Sequence, residues 1–366
     1  MEYSGSIHKK RVAWIDISRG IAIIAVIIGH SLGSYFPDYF ASIIFAFHMP
    51  IFFILSGYLY REKEYKRAFT NNFFNLILPY FTVVVIELII LIACRLVPNP
   101  ILYSRFGSVR QISLAAIYGI GGAAVTPWQN GIPWIGAIWF LLAMFFGAQI
   151  FNVIMQAPFK KYSLFFKGGL VLMLSFFGAF SAHYLTLPFS LNAALMAQLF
   201  FFSGYLVHEY DVLNQLASYI YIILAIIWLS SAATGLFTMS MASPNSVTFV
   251  NIIGGVASSL CVMRFSILLE NHFQDKGIWI KNILIFWGSQ SLIILCFHLI
   301  DLDSVQIWPH IIAYSSKIFP YGVAVIIGII YRIVFASFFA LIIRYLPGVR
   351  NLFMHRKYPF KFFTNR

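Results

Sequence analysis

Residues 15–32 read "IDISRGIAIIAVIIGHSL", and this stretch decides the fold of the chain. Its centre is an apolar run of the length that crosses a bilayer as a helix. Ionisable residues lie at both ends of the run, Asp16 and Arg19 before it and His30 near its close. Hydrocarbon strongly disfavours such side chains, so they are either tolerated at the ends of a span or belong to a site.

The composition predicts an all-α, polytopic integral membrane protein. Of the 366 residues, 60% are hydrophobic and only 10% are charged, whereas about 25% are charged in a soluble globular chain. Backbone groups in lipid must be satisfied within their own segment, so the recurring apolar runs are predicted to be helices of a bundle. About ten transmembrane helices are predicted, near residues 12–33, 40–60, 73–97, 133–155, 165–182, 191–208, 217–237, 247–268, 283–300 and 318–345.

The chain is expected to form one integral-membrane domain over residues 1–366, with a short basic tail at about 346–366 and no appended soluble domain. The first apolar run contains ionisable residues and is not followed by a cleavage site, so we interpret it as a retained helix. The three cysteines, Cys94, Cys261 and Cys296, fall in apolar segments and have no disulfide or metal spacing.

The distribution of positive charge predicts that both termini are cytoplasmic. If the N-terminus lies inside, most of the 25 lysine and arginine residues fall in inside segments. The outside segments carry Arg95, Arg105, Arg110 and Lys317. This asymmetry follows the positive-inside rule and accounts for the net charge of +13 without a nucleic-acid partner.

Helical geometry relates the ionisable residues of the first span. Arg19 and His30 are eleven residues apart, which at 100° per residue is about 20° past three turns, and about 16 Å along the axis. They therefore lie on one face, the arginine near the cytoplasm and the histidine near the outer side. Asp16 lies one turn before Arg19 and is expected to form an ion pair with it. An interfacial pair with a snorkelling arginine is the alternative interpretation.

Two further histidines fall in the outer half of predicted spans. His48 lies two residues before Pro50, which can kink the second helix. His298 lies in the ninth span, seven residues after Ser291 and therefore nearly on the same face. With His30, each of three helices thus contributes one intramembrane histidine. Metal binding is an alternative for such a set, but we expect no metal site.

Other polar residues lie deep in spans or in the longest loop. Glu87 is near the middle of the third span and Arg332 is inside the tenth, so mutual pairing is predicted. The loop near residues 98–132 is rich in Gly, Pro and aromatics, and Trp128 and Trp134 lie near its end. These tryptophans form either an interfacial belt or a substrate contact.

Several motifs together resemble the integral-membrane acyltransferase family 3. They are "DISRG" through "GH" in the first span, "FHMPIFFILSGYLY" in the second, "IWFLLAMF" (138–145), "LFFFSGYL" (199–206) and "WGSQSLIILCFH" in the ninth. The family comprises bacterial O-acyltransferases that modify surface polysaccharides, lipopolysaccharide and related glycans, including a fucose 4-O-acetylase-like branch. The resemblance implies a ten-helix core in the bacterial inner membrane, acetyl-CoA as the donor substrate without a permanently bound cofactor, and a glycan or lipid-linked saccharide as the acceptor.

The resemblance also implies roles for particular residues. Arg19 and His30 match the family's Arg-x10-His pair, in which the histidine is catalytic, and we add Asp16 and His48 as catalytic candidates. The family's acyl-CoA-binding basic segment falls on Arg61, Lys63, Lys66 and Arg67, although Glu62 and Glu64 interrupt it and ordinary positive-inside charge is the alternative. The candidates for substrate binding or support are His298, Ser291, Trp128, Trp139 and Glu87.

Residue chemistry suggests how an acyl transfer would proceed. His30 would act either as general base toward a sugar hydroxyl or as a transient acyl carrier. The chain has no G-x-S-x-G motif, and its S-G-Y elements look like packing residues, so we prefer histidine to a serine acyl-enzyme. A proton-coupled transporter or a flippase for lipid-linked sugars is the alternative function. The sequence does not indicate an oligomeric state.

Overall fold

The computed structural model describes residues 12–32, 38–97, 100–124, 131–156, 158–242, 248–273 and 277–354. Within these ranges the chain is built from helices, and one isolated antiparallel bridge joins Leu102 to Val305. The α-helices are α1 (Ala13–Leu32), α2 (Asp38–Phe47), α3 (Pro50–Tyr58), α4 (Tyr65–Asn72), α5 (Leu78–Leu96), α6 (Val109–Tyr118), α7 (Trp139–Met155), α8 (Leu164–Ala182), α9 (Leu191–Met196), α10 (Gln198–Glu209), α11 (Val212–Gln215), α12 (Ser218–Ala232), α13 (Thr248–His272), α14 (Ile278–Ser289), α15 (Ser291–Ser304), α16 (Ile307–Ser315), α17 (Tyr321–Ile342) and α18 (Arg350–Phe353).

The prediction of an all-α membrane protein is confirmed. Six helical segments of the described chain are long and apolar enough to cross a membrane, and two bent helix pairs raise the number to eight. Two shorter apolar helices, Trp139–Met155 and Ser218–Ala232, coincide with two further predicted spans. The count of ten and the cytoplasmic termini stay predictions. The six segments are Ala13–Leu32, Asp38–Tyr58, Tyr65–Leu96, Leu164–Ala182, Thr248–His272 and Tyr321–Tyr345.

Helix α1 is the central element of the bundle. Of its apolar window, 72% is buried, the largest share among the six long segments. It packs against α2, α3, α13, α14, α15 and α17. Glycines bring α1 and α14 into backbone contact: a Cβ at Gly288 would overlap the Asp16 carbonyl oxygen, and one at Gly20 would overlap that of Leu284. The first half of α1 is therefore held closely against α14.

A second close crossing joins α3 to α10. A Cβ at Gly57 would overlap the Phe201 carbonyl oxygen, and one at Gly204 would overlap that of Ile54. Both glycines belong to S-G-Y elements, so the prediction that these elements are packing residues is confirmed. Their small size lets the two helices approach until their backbones touch.

Four of the predicted spans are interrupted within the described chain, the sixth by a bend of 44° between Pro188–Met196 and Gln198–Glu209. The second is broken at His48 and Met49, because Pro50 lacks an N–H and begins α3 at its first position. The third passes through a π-helical turn, Phe73–Ile77, between α4 and α5. The ninth bends by 74° between Ile278–Ser289 and Ser291–Ser304, where Gln290 leaves the helical region. Each break directs polar side chains into the bundle.

Candidate active site

The structure brings the three intramembrane histidines together. His30 lies in the last turn of α1, His48 at the break between α2 and α3, and His298 in α15. The ring centroid of His30 is 6.3 Å from that of His48 and 5.8 Å from that of His298. Three helices that are distant in sequence thus form one imidazole cluster around His30.

The proton on neutral His48 is fixed by its backbone partner. Its Nδ1 lies 3.0 Å from the carbonyl oxygen of Ile44, one turn earlier in α2. A carbonyl only accepts, so Nδ1 donates and Nε2 keeps the lone pair. His48 can therefore accept a hydrogen bond on the side of its ring that is remote from α2.

His298 is 0% exposed, and within the described part of the chain neither of its ring nitrogens has a hydrogen-bond partner. Buried polar groups without partners are rare and need an explanation in each case. Because its ring faces His30, we consider His298 a group that completes its hydrogen bonds with a substrate or with His30 itself.

An aromatic ring that the sequence did not single out packs against the cluster. The Phe45 centroid lies 5.7 Å from that of His30 and 4.6 Å from that of His48. Gly29 leaves the space for this ring, since a Cβ there would lie 3.0 Å from Phe45 Cε2. The glycine beside His30 therefore leaves room for a phenyl ring that packs against both His30 and His48.

The predicted pairing of Glu87 with Arg332 is wrong. Arg332 Nε lies 3.1 Å from Asp301 Oδ2, and Asp301 also accepts a hydrogen bond of 2.8 Å from the Tyr331 hydroxyl. Glu87 instead accepts a bond of 2.6 Å from Ser304. The physical reason is that α15 packs against both α5 and α17, so its own polar side chains satisfy Glu87 and Arg332 separately.

Arg332 also fixes the end of α1. One of its Nη atoms donates to Ser31 Oγ at 3.0 Å, and the same atom lies 3.5 Å from the carbonyl oxygen of His30. Its guanidinium lies 4.1 Å from the ring centroid of Trp308. Asp301 stands three residues after His298, which is a possible metal-ligand spacing, but its carboxylate faces Arg332. Across the described ranges, no three His, Cys, Asp or Glu side chains are grouped as a metal site.

His30 and His48 line a cavity of about 300 Å³, which we term the histidine cavity. Its opposite wall comes from loop residues and the end of α15: Arg105 Nη1 lies 2.7 Å from Asp303 Oδ2, and Nη2 donates to the Trp134 carbonyl at 2.7 Å. The guanidinium also lies 5.1 Å from the Trp134 ring centroid. This second tryptophan of the long loop is thus a cavity residue, although its side chain is 46% exposed.

Of the two remaining tryptophan candidates of this region, the structure describes one. Trp139 is buried at the start of α7 and lines the histidine cavity. Trp128 lies outside the described residues. The sequence did not indicate Arg105 or Asp303 as site residues. Arg105 lies in a loop, where side chains follow no periodicity, and the contact of Asp303 in α15 with Arg105 forms only after folding.

Toward the start of α1 lies a second cavity, of about 250 Å³, which we term the arginine cavity. Arg19, Ile23 and Val26 line it, and His30, on the same helical stripe, lines the histidine cavity. This confirms that Arg19 and His30 share one face of α1. The predicted ion pair is confirmed as well, with 3.8 Å between Arg19 Nη1 and Asp16 Oδ1.

Polar side chains from other helices complete the arginine cavity. Ser291, a sequence candidate at the first position of α15, lines this cavity together with Arg19. Ser56, Asn72 and Asn75 also line it, and the sequence reasoning did not identify these three as site residues. Asn75 belongs to the π-helical turn, a type of irregularity that is frequent at functional sites.

The basic segment after the second span is exposed. Its four candidates, Arg61, Lys63, Lys66 and Arg67, do not line either cavity. Glu62 within the segment pairs with Lys160 at 2.9 Å. The segment leads into α4, and its continuation supplies Asn72 and Asn75 to the arginine cavity. The basic segment therefore lies on the surface at the same end of the protein as the arginine cavity, and does not line that cavity.

The comparison with known families agrees with the fold. The family model described as an acyltransferase domain, that of acyltransferase family 3, matches residues 12–352. The chain belongs to this family and is a multi-pass membrane acyltransferase, an enzyme that transfers acyl groups other than aminoacyl groups. No curated protein matches the chain significantly, and no solved structure does. The fucose 4-O-acetylase-like branch stays a prediction.

Proposed function

We propose that this enzyme transfers an acetyl group from cytoplasmic acetyl-CoA to a hydroxyl of a cell-surface or lipid-linked glycan, in a bacterial inner membrane. One observation carries the proposal: a single face of α1 lines the arginine cavity near its start and the histidine cavity near its end. The axial distance from Arg19 to His30 is about 16 Å. An acyl donor bound at one end and an acceptor bound at the other would thus meet along one rigid helix.

The arginine cavity suits the donor. A guanidinium remains charged in proteins and forms strong hydrogen bonds with phosphate and carbonyl oxygens, and Asp16 restrains that of Arg19. Ser56, Asn75 and Ser291 offer partners for the amide groups of a pantetheine arm. The exposed basic segment at the same end adds positive potential that attracts the phosphates of acetyl-CoA.

The histidine cavity suits the acceptor and the chemistry. His30 removes the proton from a sugar hydroxyl, whose oxygen attacks the thioester carbonyl carbon. The C–S bond then breaks, and the CoA thiolate takes the proton back from His30, so the products are an ester and free CoA. His48 and His298 orient His30 or stabilise the oxyanion. In the alternative order, His30 first carries the acetyl group itself.

The loop wall of the histidine cavity is compatible with a saccharide. Trp134 and Trp139 present flat apolar surfaces with a polar edge. Arg105 and Asp303 provide donors and acceptors for hydroxyl groups next to them. A few convergent polar groups on an apolar wall are typical of small-molecule sites. This combination supports a sugar rather than a purely lipidic acceptor.

Transfer of label from acetyl-CoA tests the proposal. Membranes that contain the protein are supplied with labelled acetyl-CoA and the surface-glycan fraction of the host, and the glycans are analysed by mass spectrometry. We expect acetylated glycan with the native chain and at least a hundredfold less with His30→Ala, since a general base contributes roughly 10²–10⁴-fold.

The matched control is His272→Ala, which removes an exposed histidine at the end of α13. It should transfer acetyl groups normally. The amount of each variant in the membrane is measured in parallel. Undiminished acetylation by His30→Ala at normal protein level would refute the catalytic role, and solute movement without covalent transfer would favour a transporter.

A further inference from the structure

The arginine cavity and the histidine cavity meet at one side chain. Among the described residues, Met49 alone lines both of them. It is 5% exposed and follows His48 at the break between α2 and α3. Because Pro50 restricts the backbone at this break, the position of Met49 is set by the fold, while its side chain has three rotatable bonds.

The arginine cavity also continues in the other direction. Arg19, Asn75 and Leu292 line a third cavity of about 530 Å³, together with Gln290 at the bend of the ninth span. The residues of this third cavity lie toward the start of α1, and those of the histidine cavity lie toward its end. The third cavity, the arginine cavity and the histidine cavity thus follow α1 in this order, and Met49 stands between the arginine cavity and the histidine cavity.

We propose that the Met49 side chain is a gate between the two ends of this path. In the closed arrangement it separates the space around Arg19 from the space around His30. When its side chain turns aside, the acyl end of a thioester passes from the arginine cavity to His30. The methionine then borders the acyl group and limits its size, and this second role rests on the proposed function.

Methionine suits such a position for physical reasons. An unbranched thioether adapts to irregular spaces and changes rotamer without moving the backbone. A branched or aromatic residue would either remain in one rotamer or fill the constriction. A permanently open path would join the two sides of a membrane through an aqueous route, whereas an apolar side chain between two cavities interrupts it.

The gate is tested without any acyl donor. In a background in which Cys94, Cys261 and Cys296 are replaced by alanine, His30→Cys introduces one thiol into the histidine cavity. A small hydrophilic thiosulfonate reagent is added to sealed vesicles of either orientation. With Met49 present, we expect the thiol to be labelled rapidly from the outer face and not from the inner face. In the Met49→Ala variant we expect labelling from both faces, with an inner-face rate at least about tenfold higher than with Met49.

Met263→Ala is the matched control, because Met263 is buried in α13 and lines neither cavity. It should leave the labelling one-sided. If Met49→Ala does not accumulate in the membrane, the small and unbranched Met49→Ser is used, with two-sided labelling again expected. Two-sided labelling with Met49 present, or one-sided labelling in a folded Met49→Ala or Met49→Ser variant, would overturn the gate.

The limit on acyl size is tested separately with acetyl-, propionyl- and butyryl-CoA. A pocket discriminates by roughly tenfold or more for each added methylene. We therefore expect the butyryl-to-acetyl transfer ratio to rise at least about tenfold in Met49→Ala and to stay unchanged in Met263→Ala. An unchanged ratio in Met49→Ala would refute the size limit. If the native chain transfers from no acyl-CoA, the proposed function fails, while the labelling result still decides the gate.

Discussion

At the scale of single residues, the end of α1 is held by a buried ion pair that lies outside α1 itself. Arg332 contacts Asp301, Ser31 and the His30 backbone. Both charged side chains are almost completely buried. Since removal of one partner leaves the other charge without compensation in a medium of low polarity, the pair fixes α17 to the helix that presents His30.

We predict that Arg332→Met lowers stability by about 3–5 kcal/mol, the usual cost of leaving a buried charge unpaired. Adding Asp301→Asn should recover most of the loss, because the remaining amide carries no charge and still accepts from Tyr331. The measurement is thermal unfolding of the purified protein in detergent.

Lys160→Met provides a comparison, since it breaks the exposed pair with Glu62 and should cost at most about 1 kcal/mol. Equal losses in Arg332→Met and Lys160→Met would contradict the role that we assign to the buried pair. No recovery in the double variant would contradict the pairing of Arg332 with Asp301.

Residue-level predictions succeeded where helix geometry alone decides them. The Asp16–Arg19 pair and the common face of Arg19 and His30 depend only on 3.6 residues per turn. The partner of Arg332 depends on which helices are neighbours, and periodicity contains no such information. Met49 could not be recognised either, because its significance comes from two cavities that meet only after the bundle has formed.

At the scale of elements, two S-G-Y segments determine how closely helices approach. Their glycines, Gly57 in α3 and Gly204 in α10, each face a backbone carbonyl of the other helix. An added methyl group would push the two backbones apart and displace the break at His48, which directly precedes α3.

We therefore predict that Gly57→Ala and Gly204→Ala each destabilise the protein by about 1–3 kcal/mol through overpacking. Gly169→Ala in α8 is the matched control: an added Cβ there has no atom within 4 Å. It should be neutral or stabilising by up to about 1 kcal/mol, since alanine favours helix more than glycine does. Unfolding temperatures in detergent distinguish the two outcomes, and a loss in Gly169→Ala as large as in the other two would refute the packing argument.

The sequence predicted the helices better than their breaks. Pro50 predicted the break in the second span, because proline has no N–H to donate to the preceding turn. The 74° bend at Gln290 has no such signal, and the span was predicted as straight. The bend matters for the site, since it places Ser291 at the arginine cavity and lets α15 carry His298 to His30.

At the scale of the whole molecule, composition was sufficient for the class of fold, because so apolar a chain has no alternative to spanning lipid. The walls of the histidine cavity were harder to predict. One wall includes His30 of α1 and His48 at the break after α2, both of which the sequence shows as intramembrane histidines. The other wall includes the loop residues Arg105 and Trp134 together with Asp303 near the end of α15, and these meet through long-range contacts.

The two ends of the molecule are distinct, and this leads to a prediction about orientation. The Trp14 and Tyr58 rings lie 5.3 Å apart, so the start of α1 and the exposed basic segment after α3 are at one end. His30 and Arg105 are at the other. By the positive-inside rule, the end with the basic segment should face the cytoplasm.

Single thiols test this orientation in the same cysteine-free background. Lys66→Cys lies in the basic segment, and Val109→Cys lies at the exposed start of α6 in the long loop. With a membrane-impermeant maleimide, we expect Lys66→Cys to react only in inverted vesicles and Val109→Cys to react in spheroplasts. The reverse pattern would mean that the arginine cavity faces outward, where cytoplasmic acetyl-CoA could not reach it. The assignment of the arginine cavity as the donor site would then be wrong, even though the histidine cluster would be unchanged.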